Sequence, residues 1–438
     1  MTELPRLTVI GTGYLGATHA VCMADLGFDV LGLDVDEAKV AALQAGQVPF
    51  FEPGLPELLR KSLDSGRLRF TTSYEEVGAF GDVHFLCVGT PQKLGEYAAD
   101  LTFVDAAFTT LLAHARTGSL LVGKSTVPAG TAERLAEQIA AARPDVELAW
   151  NPEFLREGFA VEDTLAPDRL VFGVRSAAAE QRLRAAFGPV IARSTPVVVT
   201  DFATAQLVKV AANAFLATKI SFINAMAEVC EATGGDVTML SKALSYDDRI
   251  GGRFLHAGLG FGGGCLPKDI RAFMARAGEL GVDQALSFLK EVDAINLRRR
   301  ARMVEIAREE VGGSFGGMRV AVLGAAFKPN SDDIRDSPAL DVAATIQRQG
   351  AAVCLYDPAA MDNARIKCPE LGYRDSALDA AKGADLVLHL TEWTEFREME
   401  PATLSEVVAE RRMVDGRNAL DPERWRSAGW TYRALGRP

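Results

Sequence analysis

The residue with the clearest potential for covalent chemistry is Cys265, which lies in the glycine-rich stretch 260–270, GFGGGCLPKDI. Glycine has no Cβ atom, so the backbone N–H groups of such a loop can approach a ligand closely. Lys268 and Asp269 follow three and four residues after the cysteine. A nearby positive charge favours the thiolate, which is the nucleophilic form of cysteine. The pattern predicts a thiol that forms a covalent intermediate.

A second polar pair, Lys209 and Asn213, lies in a segment otherwise rich in Val, Ala, Phe and Leu. Residues four positions apart share one face of a helix. A lysine there could stabilise an oxyanion as a hydride leaves, and the asparagine could orient a substrate. A solvent-exposed helix face is the alternative that the pattern leaves open.

Two carboxylates, Glu153 and Glu157, lie in the segment NPEFLREG at 151–158, directly after the apolar segment 146–150. Ligands of α/β proteins bind at loops that follow the carboxyl ends of strands. Carboxylates in such a loop could position water or act as a general base. Solvated loop charges are the competing interpretation.

The N-terminal residues Gly11, Gly13 and Gly16 form a G-x-G-x-x-G pattern between a strand-like and a helix-like segment. They would allow a tight turn and a close approach of a pyrophosphate to the amino end of the helix. Asp34, at the end of the next strand, would bind a ribose 2′-hydroxyl and repel a 2′-phosphate. The pattern predicts NAD rather than NADP, with a structural glycine turn as the alternative.

These residues need a scaffold, and apolar segments that alternate with helical ones predict a parallel sheet covered on both faces. A helix is predicted from about 201 to 232, roughly 45 Å long at 1.5 Å per residue. Such a helix joins domains and commonly supplies a dimer interface. After Arg319 the strand–helix order restarts without a full glycine pattern, so a nucleotide-containing substrate is expected there rather than a second dinucleotide.

The predicted fold class is α/β, with two Rossmann-like doubly wound parallel-sheet domains joined by a long central helix. The predicted boundaries are 1–200 for the NAD-binding domain, 201–311 for a central helical domain with the cysteine loop, and 312–438 for the domain that binds the nucleotide substrate.

Composition narrows the classes of function. The 438 residues carry a formal net charge of −11, which argues against a protein that coats nucleic acid. The start of the sequence does not resemble a signal peptide, and no membrane span is expected. The six cysteines include no C-x-x-C pair, which favours a reducing cytoplasm and predicts no metal site.

In order along the chain, six motifs resemble one family: GTGYLG at 11–16, STVPAGT at 125–131, NPEFLREG at 151–158, LVKVAANAF at 207–215, the Cys265 loop, and GAAFKP at 324–329. Together they resemble the UDP-glucose/GDP-mannose dehydrogenases, and within that family the branch that acts on UDP-glucose. The resemblance covers essentially the whole chain. It implies oxidation of a sugar C6 alcohol to a carboxylate, with two NAD reduced per sugar.

The resemblance also implies roles. Cys265 would attack the aldehyde to give a thiohemiacetal, whose oxidation yields a thioester that water hydrolyses. Lys209 would support proton transfer and oxyanion charge beside Asn213 and Asp269, while Glu153 and Thr126 would hold the water. The implied cofactor residues are Gly11, Gly13, Tyr14, Leu15, Gly16, Asp34, Lys39, Thr90, Thr126, Glu157 and Arg335. The implied substrate residues are Phe154, Leu155, Lys209, Asn213, Arg249, Phe261, Gly262, Lys328 and Arg417, with Arg249 reaching across from a partner subunit in a homodimer or higher homo-oligomer.

The sequence departs from the family pattern at Gly264, where many relatives carry serine. The missing hydroxyl is expected to loosen the loop without abolishing the chemistry. Relatives that act on UDP-N-acetylmannosamine have histidine before the cysteine, so Gly264 disfavours that substrate. GDP-mannose or another nucleotide sugar remains an alternative substrate. A β-hydroxyacid dehydrogenase is less favoured, because it gives no reason for Cys265 on a glycine loop or for a second Rossmann-like domain. A non-catalytic nucleotide-sugar sensor is less favoured, because it would be expected to have lost Cys265, Lys209 or Asp269.

Overall fold

The computed structural model describes residues 4–437, which divide into two units. The first comprises residues 4–212 and 271–281, and the second comprises residues 213–270 and 282–437. Among the described residues of the first unit, eight strands form one sheet: β1 (Leu7–Ile10), β2 (Val30–Leu33), β3 (Leu68–Thr71), β4 (Val83–Leu86), β5 (Leu120–Gly123), β6 (Glu147–Trp150), β7 (Leu170–Val174) and β8 (Val197–Thr200).

The helices up to residue 310 are α1 (Tyr14–Asp25), α2 (Glu37–Gln44), α3 (Leu55–Asp64), α4 (Tyr74–Phe80), α5 (Thr102–His114), α6 (Thr131–Ala142), α7 (Ala160–Leu165), α8 (Ala177–Ala186), α9 (Gly188–Ile191), α10 (Phe202–Thr233), α11 (Val237–Ser245), α12 (Leu266–Glu279) and α13 (Phe288–Glu310). The division between the two units falls within α10 and within α12.

The first sheet has the strand order β3-β2-β1-β4-β5-β6-β7-β8. The strand order reverses at β1, which pairs in parallel with both β2 and β4. Such a reversal is the point at which open α/β sheets bind ligands. Alternate side chains of β1 enter different hydrophobic clusters: Leu7 and Val9 one, Ile10 the other. The strand is buried on both faces, as a central parallel strand should be.

One edge of this sheet differs from the prediction of a wholly parallel sheet, because β7 pairs antiparallel with β6. An antiparallel partner can start where the previous strand ends, whereas a parallel partner requires the chain to cross back over the sheet. The connection 151–169, which includes the short helix α7, therefore begins and ends at the carboxyl end of β6.

The helix predicted from about 201 to 232 is observed as α10, Phe202–Thr233. It is roughly 48 Å long at 1.5 Å per residue. Contrary to the expectation of no membrane-length apolar run, α10 is long and apolar enough to cross a membrane by length and composition, with a mean hydropathy of 1.3 over 18 residues. Core helices of globular proteins meet the same criterion, and 44% of this 18-residue segment is buried.

The second unit contains the sheet predicted after Arg319. Its strands are β9 (Arg319–Leu323), β10 (Ala352–Tyr356), β11 (Gly372–Tyr373), β12 (Leu386–His389), β13 (Arg412–Asp415) and β14 (Thr431–Ala434). Its helices are α14 (Pro338–Arg348), α15 (Met361–Lys367), α16 (Ala377–Ala381), α17 (Thr394–Arg397), α18 (Pro401–Ser405) and α19 (Pro422–Ser427). The strand order β11-β10-β9-β12-β13-β14 repeats the reversal seen at β1, and each neighbouring pair is parallel. Two Rossmann-like sheets and a long central helix agree with the predicted fold class.

Candidate active site

The glycine loop after β1 is shaped by close packing at two of its three glycines. Gly11 has φ +86°, and a Cβ atom there would lie 2.8 Å from Cγ1 of Val88. A Cβ atom on Gly16 would overlap the carbonyl oxygen of Gly11. Gly13, the N-cap of α1, has open space around the corresponding position. Among the described residues, no side chain caps the amino end of α1 at Gly13, and an uncapped helix amino end is suited to binding a pyrophosphate.

Asp34 follows β2 and is buried. One carboxylate oxygen, Oδ2, accepts hydrogen bonds from the Thr12 N–H at 2.8 Å and from Lys39 Nζ at 2.9 Å, and Oδ1 accepts one from the Asp36 N–H at 3.2 Å. Burial alone would raise the pKa of Asp34, but Lys39 and the backbone donors outweigh burial and lower it. The carboxylate is therefore charged and positioned beside the glycine loop, as recognition of an unphosphorylated ribose requires.

Glu52 is a site residue that the sequence analysis missed. Its side chain is buried and accepts hydrogen bonds from the Gly158 N–H at 2.6 Å, from the Ala160 N–H at 2.8 Å, and from the Tyr14 hydroxyl. Burial, followed by the hydrogen bond to Glu52, raises the pKa of Tyr14, so the phenol stays protonated and can donate. Glu52 thus joins the glycine loop to the loop that carries Glu157. An acidic residue between apolar residues, FFEPGL at 50–55, was the available signal.

The loops that follow β4 and β5 are also joined to each other. The Thr90 hydroxyl donates to the Thr126 carbonyl oxygen at 2.9 Å, and the Ser125 hydroxyl donates to Val88 O at 2.7 Å. Lys124, which the sequence analysis also missed, is buried and donates from Nζ to Oδ1 of Asn151 at 2.9 Å. Burial lowers the pKa of Lys124. These bonds fix Thr126 and the start of the 151–158 loop.

Lys209 and Glu153 form a largely buried ion pair. Lys209 Nζ lies 2.8 Å from Oε1 of Glu153, and the two side chains are 7% and 13% exposed. Oε2 of Glu153 accepts a hydrogen bond from the Leu155 N–H at 2.9 Å. Phe154 lies beside the pair, with its ring centre 5.7 Å from Lys209 Nζ. The alternatives of a solvated helix face for Lys209 and a solvated loop charge for Glu153 do not hold.

Cys265 directly precedes α12, and its side chain is exposed, whereas Cys22, Cys87 and Cys230 are buried. One turn along this helix, Asp269 is buried and accepts a hydrogen bond from Nδ2 of Asn213 at 2.7 Å. Nζ of Lys268 lies 2.5 Å from the other oxygen of Asp269. The structure therefore brings Asn213 and Asp269 together, and Asp269 lies four residues after Cys265 in the sequence. The place of this pair beside Lys209 stays a prediction.

The glycine-rich loop before Cys265 is held by Asn296, another residue that the sequence analysis missed. Oδ1 of Asn296 accepts the Phe261 N–H at 2.7 Å, and Nδ2 donates to Phe261 O at 3.0 Å. Phe261 and Gly262 are themselves buried. Their predicted contact with a substrate stays a prediction.

The remaining predicted substrate residues differ in exposure. Arg417 lies in the turn after β13 and donates from Nη2 to Phe327 O at 2.8 Å and from Nε to Leu390 O at 2.7 Å. The Asp415 carboxylate accepts the Arg417 N–H at 2.9 Å and also contacts His389. Lys328 Nζ is 5.3 Å from the ring centre of Phe327. Arg249 is 89% exposed and paired with Asp247. Arg335, which is predicted to contact the cofactor rather than the substrate, is exposed and paired with Asp333.

Comparison with known proteins gives a consistent result along the chain. Three domain models of the UDP-glucose/GDP-mannose dehydrogenase family match: the NAD binding domain at residues 5–191, the central domain at 203–298, and the UDP binding domain at 321–422. The UDP-glucose 6-dehydrogenase of Rhizobium meliloti (strain 1021) is 40% identical over 437 residues, which cover 99% of this chain and 100% of that protein.

Solved structures agree with the sequence comparison. A UDP-glucose dehydrogenase from the archaeon Pyrobaculum islandicum is 37% identical with a TM-score of 0.91, covering 100% of this chain and 99% of that one. A UDP-D-ManNAc dehydrogenase from Pyrococcus horikoshii is 27% identical with a TM-score of 0.86, covering 99% of each chain.

Proposed function

Because the chain belongs to the UDP-glucose/GDP-mannose dehydrogenase family, we propose that it oxidises the C6 alcohol of UDP-glucose to a carboxylate and so produces UDP-glucuronate. NAD is the cofactor, as the family's NAD binding model, the glycine loop and the charged Asp34 agree. The observation that carries the proposal is the exposed Cys265 at the start of α12, followed one turn later by the buried Asn213–Asp269 pair. The names of the relatives favour UDP-glucose over other sugars. The two UDP-glucose dehydrogenases reported above are 37% and 40% identical to this chain, whereas the UDP-D-ManNAc dehydrogenase is 27% identical.

We propose that the reaction passes through a covalent intermediate on Cys265. NAD, when bound, accepts one hydride in each of two oxidations. After the first oxidation, the Cys265 sulfur adds to the aldehyde carbon and the carbonyl oxygen gains a proton, which gives a thiohemiacetal. After the second, the sulfur is part of a thioester, and water cleaves the C–S bond to release the acid and the thiol. A thiol at the amino end of α12 is favoured as thiolate by the helix dipole.

The buried charged groups have separate tasks in this proposal. Lys209 supports the negative charge that develops on the sugar oxygen, because its ammonium is held in a largely water-free place by Glu153. Glu153 and Thr126 hold the hydrolytic water. Asn213 and Asp269 orient the substrate, and the Asp269 carboxylate keeps the Asn213 amide in one orientation.

The binding residues implied by the resemblance are part of the proposal. Tyr14, Leu15, Lys39, Thr90, Glu157 and Arg335 would contact NAD together with the glycine loop and Asp34. Phe154, Leu155, Arg249, Phe261, Gly262, Lys328 and Arg417 would contact the UDP-sugar. The division into domains 1–200, 201–311 and 312–438 is also proposed, with NAD in the first domain and the nucleotide sugar in the third.

We further propose a homodimer that works in the cytoplasm. The outer face of α10 supports the dimer, since Phe215, Phe222 and Val229 are 67%, 48% and 53% exposed at seven-residue spacing. The exposed Arg249 is available to a second subunit. The buried thiols of Cys22, Cys87 and Cys230 agree with a reducing compartment.

The proposed function is tested by counting NADH formed per sugar consumed. The purified protein is mixed with NAD and, in separate reactions, UDP-glucose, GDP-mannose or UDP-N-acetylmannosamine. Two NADH per UDP-glucose, with little turnover of the other sugars, is the expected result. One NADH per sugar would contradict the covalent four-electron route, and preference for another sugar would contradict the substrate.

A further inference from the structure

Gly264 directly precedes Cys265, and another residue of the chain fills the space that a side chain at residue 264 would occupy. A Cβ atom built on Gly264 would lie 2.5 Å from Nη2 of Arg335 and would overlap Cζ and Nη1 of the same guanidinium group. Gly264 is not among the glycines with positive φ, so its backbone does not itself require glycine. The guanidinium of Arg335 is therefore what a side chain at residue 264 would displace.

Asp333 fixes Arg335 in this position. Nε and Nη2 of Arg335 donate to the two Asp333 oxygens at 2.9 and 2.7 Å, an arrangement in which the planar guanidinium has one orientation. The Asp333 side chain is only 10% exposed. Its Oδ2 atom also accepts the Gly264 N–H at 3.2 Å, and the Arg335 carbonyl oxygen accepts the Gly263 N–H at 2.8 Å. The loop is thus held directly before the cysteine, contrary to the expectation that glycine at 264 loosens it.

The neighbouring glycines leave the loop no room to shift sideways. A Cβ atom on Gly262 would lie 2.5 Å from Asp336 O, and one on Gly263 would lie 2.8 Å from Cζ of Phe327. Three consecutive residues before Cys265 therefore pack against the segment 327–338, and all of these residues belong to the second unit.

We propose that Arg335 is a positioning residue for Cys265, and that glycine at 264 is what admits its guanidinium. Together with Asp333, Arg335 fixes the backbone on the amino side of the cysteine. This role rests on the proposed function of Cys265 as the nucleophile, and it adds to the cofactor contact implied for Arg335. Misplacing a reacting group by about 1 Å can lower a rate by about 100-fold, so the position of this backbone matters for catalysis.

The substitution Gly264→Ala tests the proposal, because the added methyl group would clash with the guanidinium at the far end of the flexible Arg335 side chain and not with any backbone atom among its nearest neighbours. We expect kcat for UDP-glucose to fall by roughly 10- to 100-fold. We also expect faster amide hydrogen exchange in the segment 260–266, measured by mass spectrometry without nucleotides. Gly316→Ala is the matched control, since the nearest atom to its Cβ is Ser314 Oγ at 3.5 Å.

A double-mutant cycle separates displacement of Arg335 from other effects of the added methyl group. If Gly264→Ala acts through Arg335, then the double variant Gly264→Ala with Arg335→Ala has the same kcat at saturating NAD as Arg335→Ala, within about twofold. The proposal would be overturned if the fold-decrease in kcat of the double variant equals the product of the two single-variant decreases. Hydrogen exchange that is unchanged in both Gly264→Ala and Arg335→Ala would also overturn it. A wild-type protein that does not oxidise UDP-glucose would refute the proposed function, and the exchange comparison would still decide whether Arg335 holds the loop.

Discussion

At the scale of single residues, several charged groups of the candidate site are buried and have a defined partner. Lys209 is 5% exposed and pairs with Glu153, while Asp269 is 2% exposed and bonds Asn213. A charge removed from water is costly unless it is paired, so such groups are retained only where structure or chemistry needs them. The residue types suggested an acid–base and oxyanion role, and burial strengthens the electrostatic interactions of Lys209 and Asp269 because little water surrounds them.

Replacing Cys265 with serine should abolish formation of the acid. A serine oxygen would give an ordinary ester, which water cleaves far more slowly than a thioester. NADH production and product mass are measured with UDP-glucose, and an adduct on residue 265 is sought by mass spectrometry. Cys354→Ser is the control, because Cys354 lies in β10 outside the proposed site. Acid formation at the wild-type rate in Cys265→Ser would exclude the covalent route.

Replacing Glu52 with glutamine should weaken both the fold and NAD binding. Three donors, from Tyr14, Gly158 and Ala160, point at the two carboxylate oxygens, and an amide offers only one oxygen. A buried donor left unpaired costs about 1–3 kcal/mol, so we expect that loss in the free energy of unfolding and a higher KM for NAD.

Urea unfolding and NAD titration measure these two effects of Glu52→Gln. Glu57→Gln, on the exposed side of α3, is the control and should change neither quantity. If both variants behave alike, then Glu52 does not couple the glycine loop to the 157–160 segment.

At the scale of the elements, α10 has two distinct faces within the second unit. Ile223, Ala227 and Cys230 pack in a buried cluster, whereas Phe215 and Phe222 are exposed. Helical periodicity places exposed apolar residues seven positions apart on one stripe. The sequence showed an apolar helix, but only the packing distinguished its covered face from its uncovered one.

The substitution Phe222→Glu should convert the proposed dimer into a monomer. A carboxylate in the middle of an apolar contact would be buried without a partner, which costs several kcal/mol. Sedimentation at micromolar concentration measures the mass, and circular dichroism checks the fold. Phe103→Glu is the control, because Phe103 is 56% exposed on α5. A Phe222→Glu variant with the mass of the wild type would exclude this face as the interface.

At the scale of the whole molecule, two sheets with the same reversal of strand order account for the two expected nucleotide ligands. Each reversal places loops from neighbouring strands at one edge of the sheet, which is where open α/β sheets bind ligands. In each unit these loops are fixed by buried polar residues, such as Asp34 and Glu52 in the first and Asp415 in the second. The same architecture serves different ligands because the loops differ.

Acid should destabilise the first unit through His84, at the centre of its sheet. Burial lowers the pKa of His84 to about 4 from an ordinary 6.5. Between these values the unfolded chain binds a proton that the folded chain does not, so stability falls as the pH falls from 6.5 towards 4. The loss amounts to about 3 kcal/mol.

The pH effect of His84 is measured by urea unfolding at pH 7 and pH 4.5. His84→Gln should show a smaller loss between these values than the wild type, while the exposed control His256→Gln should not differ from it. An unchanged pH dependence in His84→Gln would assign the acid sensitivity to other groups.

The sequence by itself determined the local features of this protein. Glycine spacing, the acid after the second strand, the polar pair on an apolar helix and the cysteine loop depend on chemistry within short segments, and they predicted both sheets and most of the long helix. Sequence patterns could not predict that β7 runs antiparallel to β6, because strand direction depends on how the chain returns rather than on side-chain alternation.

Only the tertiary structure decided which residues support the site. Four residues each bond a group that is distant in sequence: Glu52 bonds Gly158, Lys124 bonds Asn151, Asn296 bonds Phe261 and Asp333 bonds Gly264. An isolated polar residue carries no periodic signal. The sequence likewise did not show why residue 264 is glycine, because the atoms that a side chain at this position would meet belong to the distant residue Arg335. Contacts between distant segments depend on packing in three dimensions. A pattern within one short segment of the sequence does not show which distant residue that segment will contact.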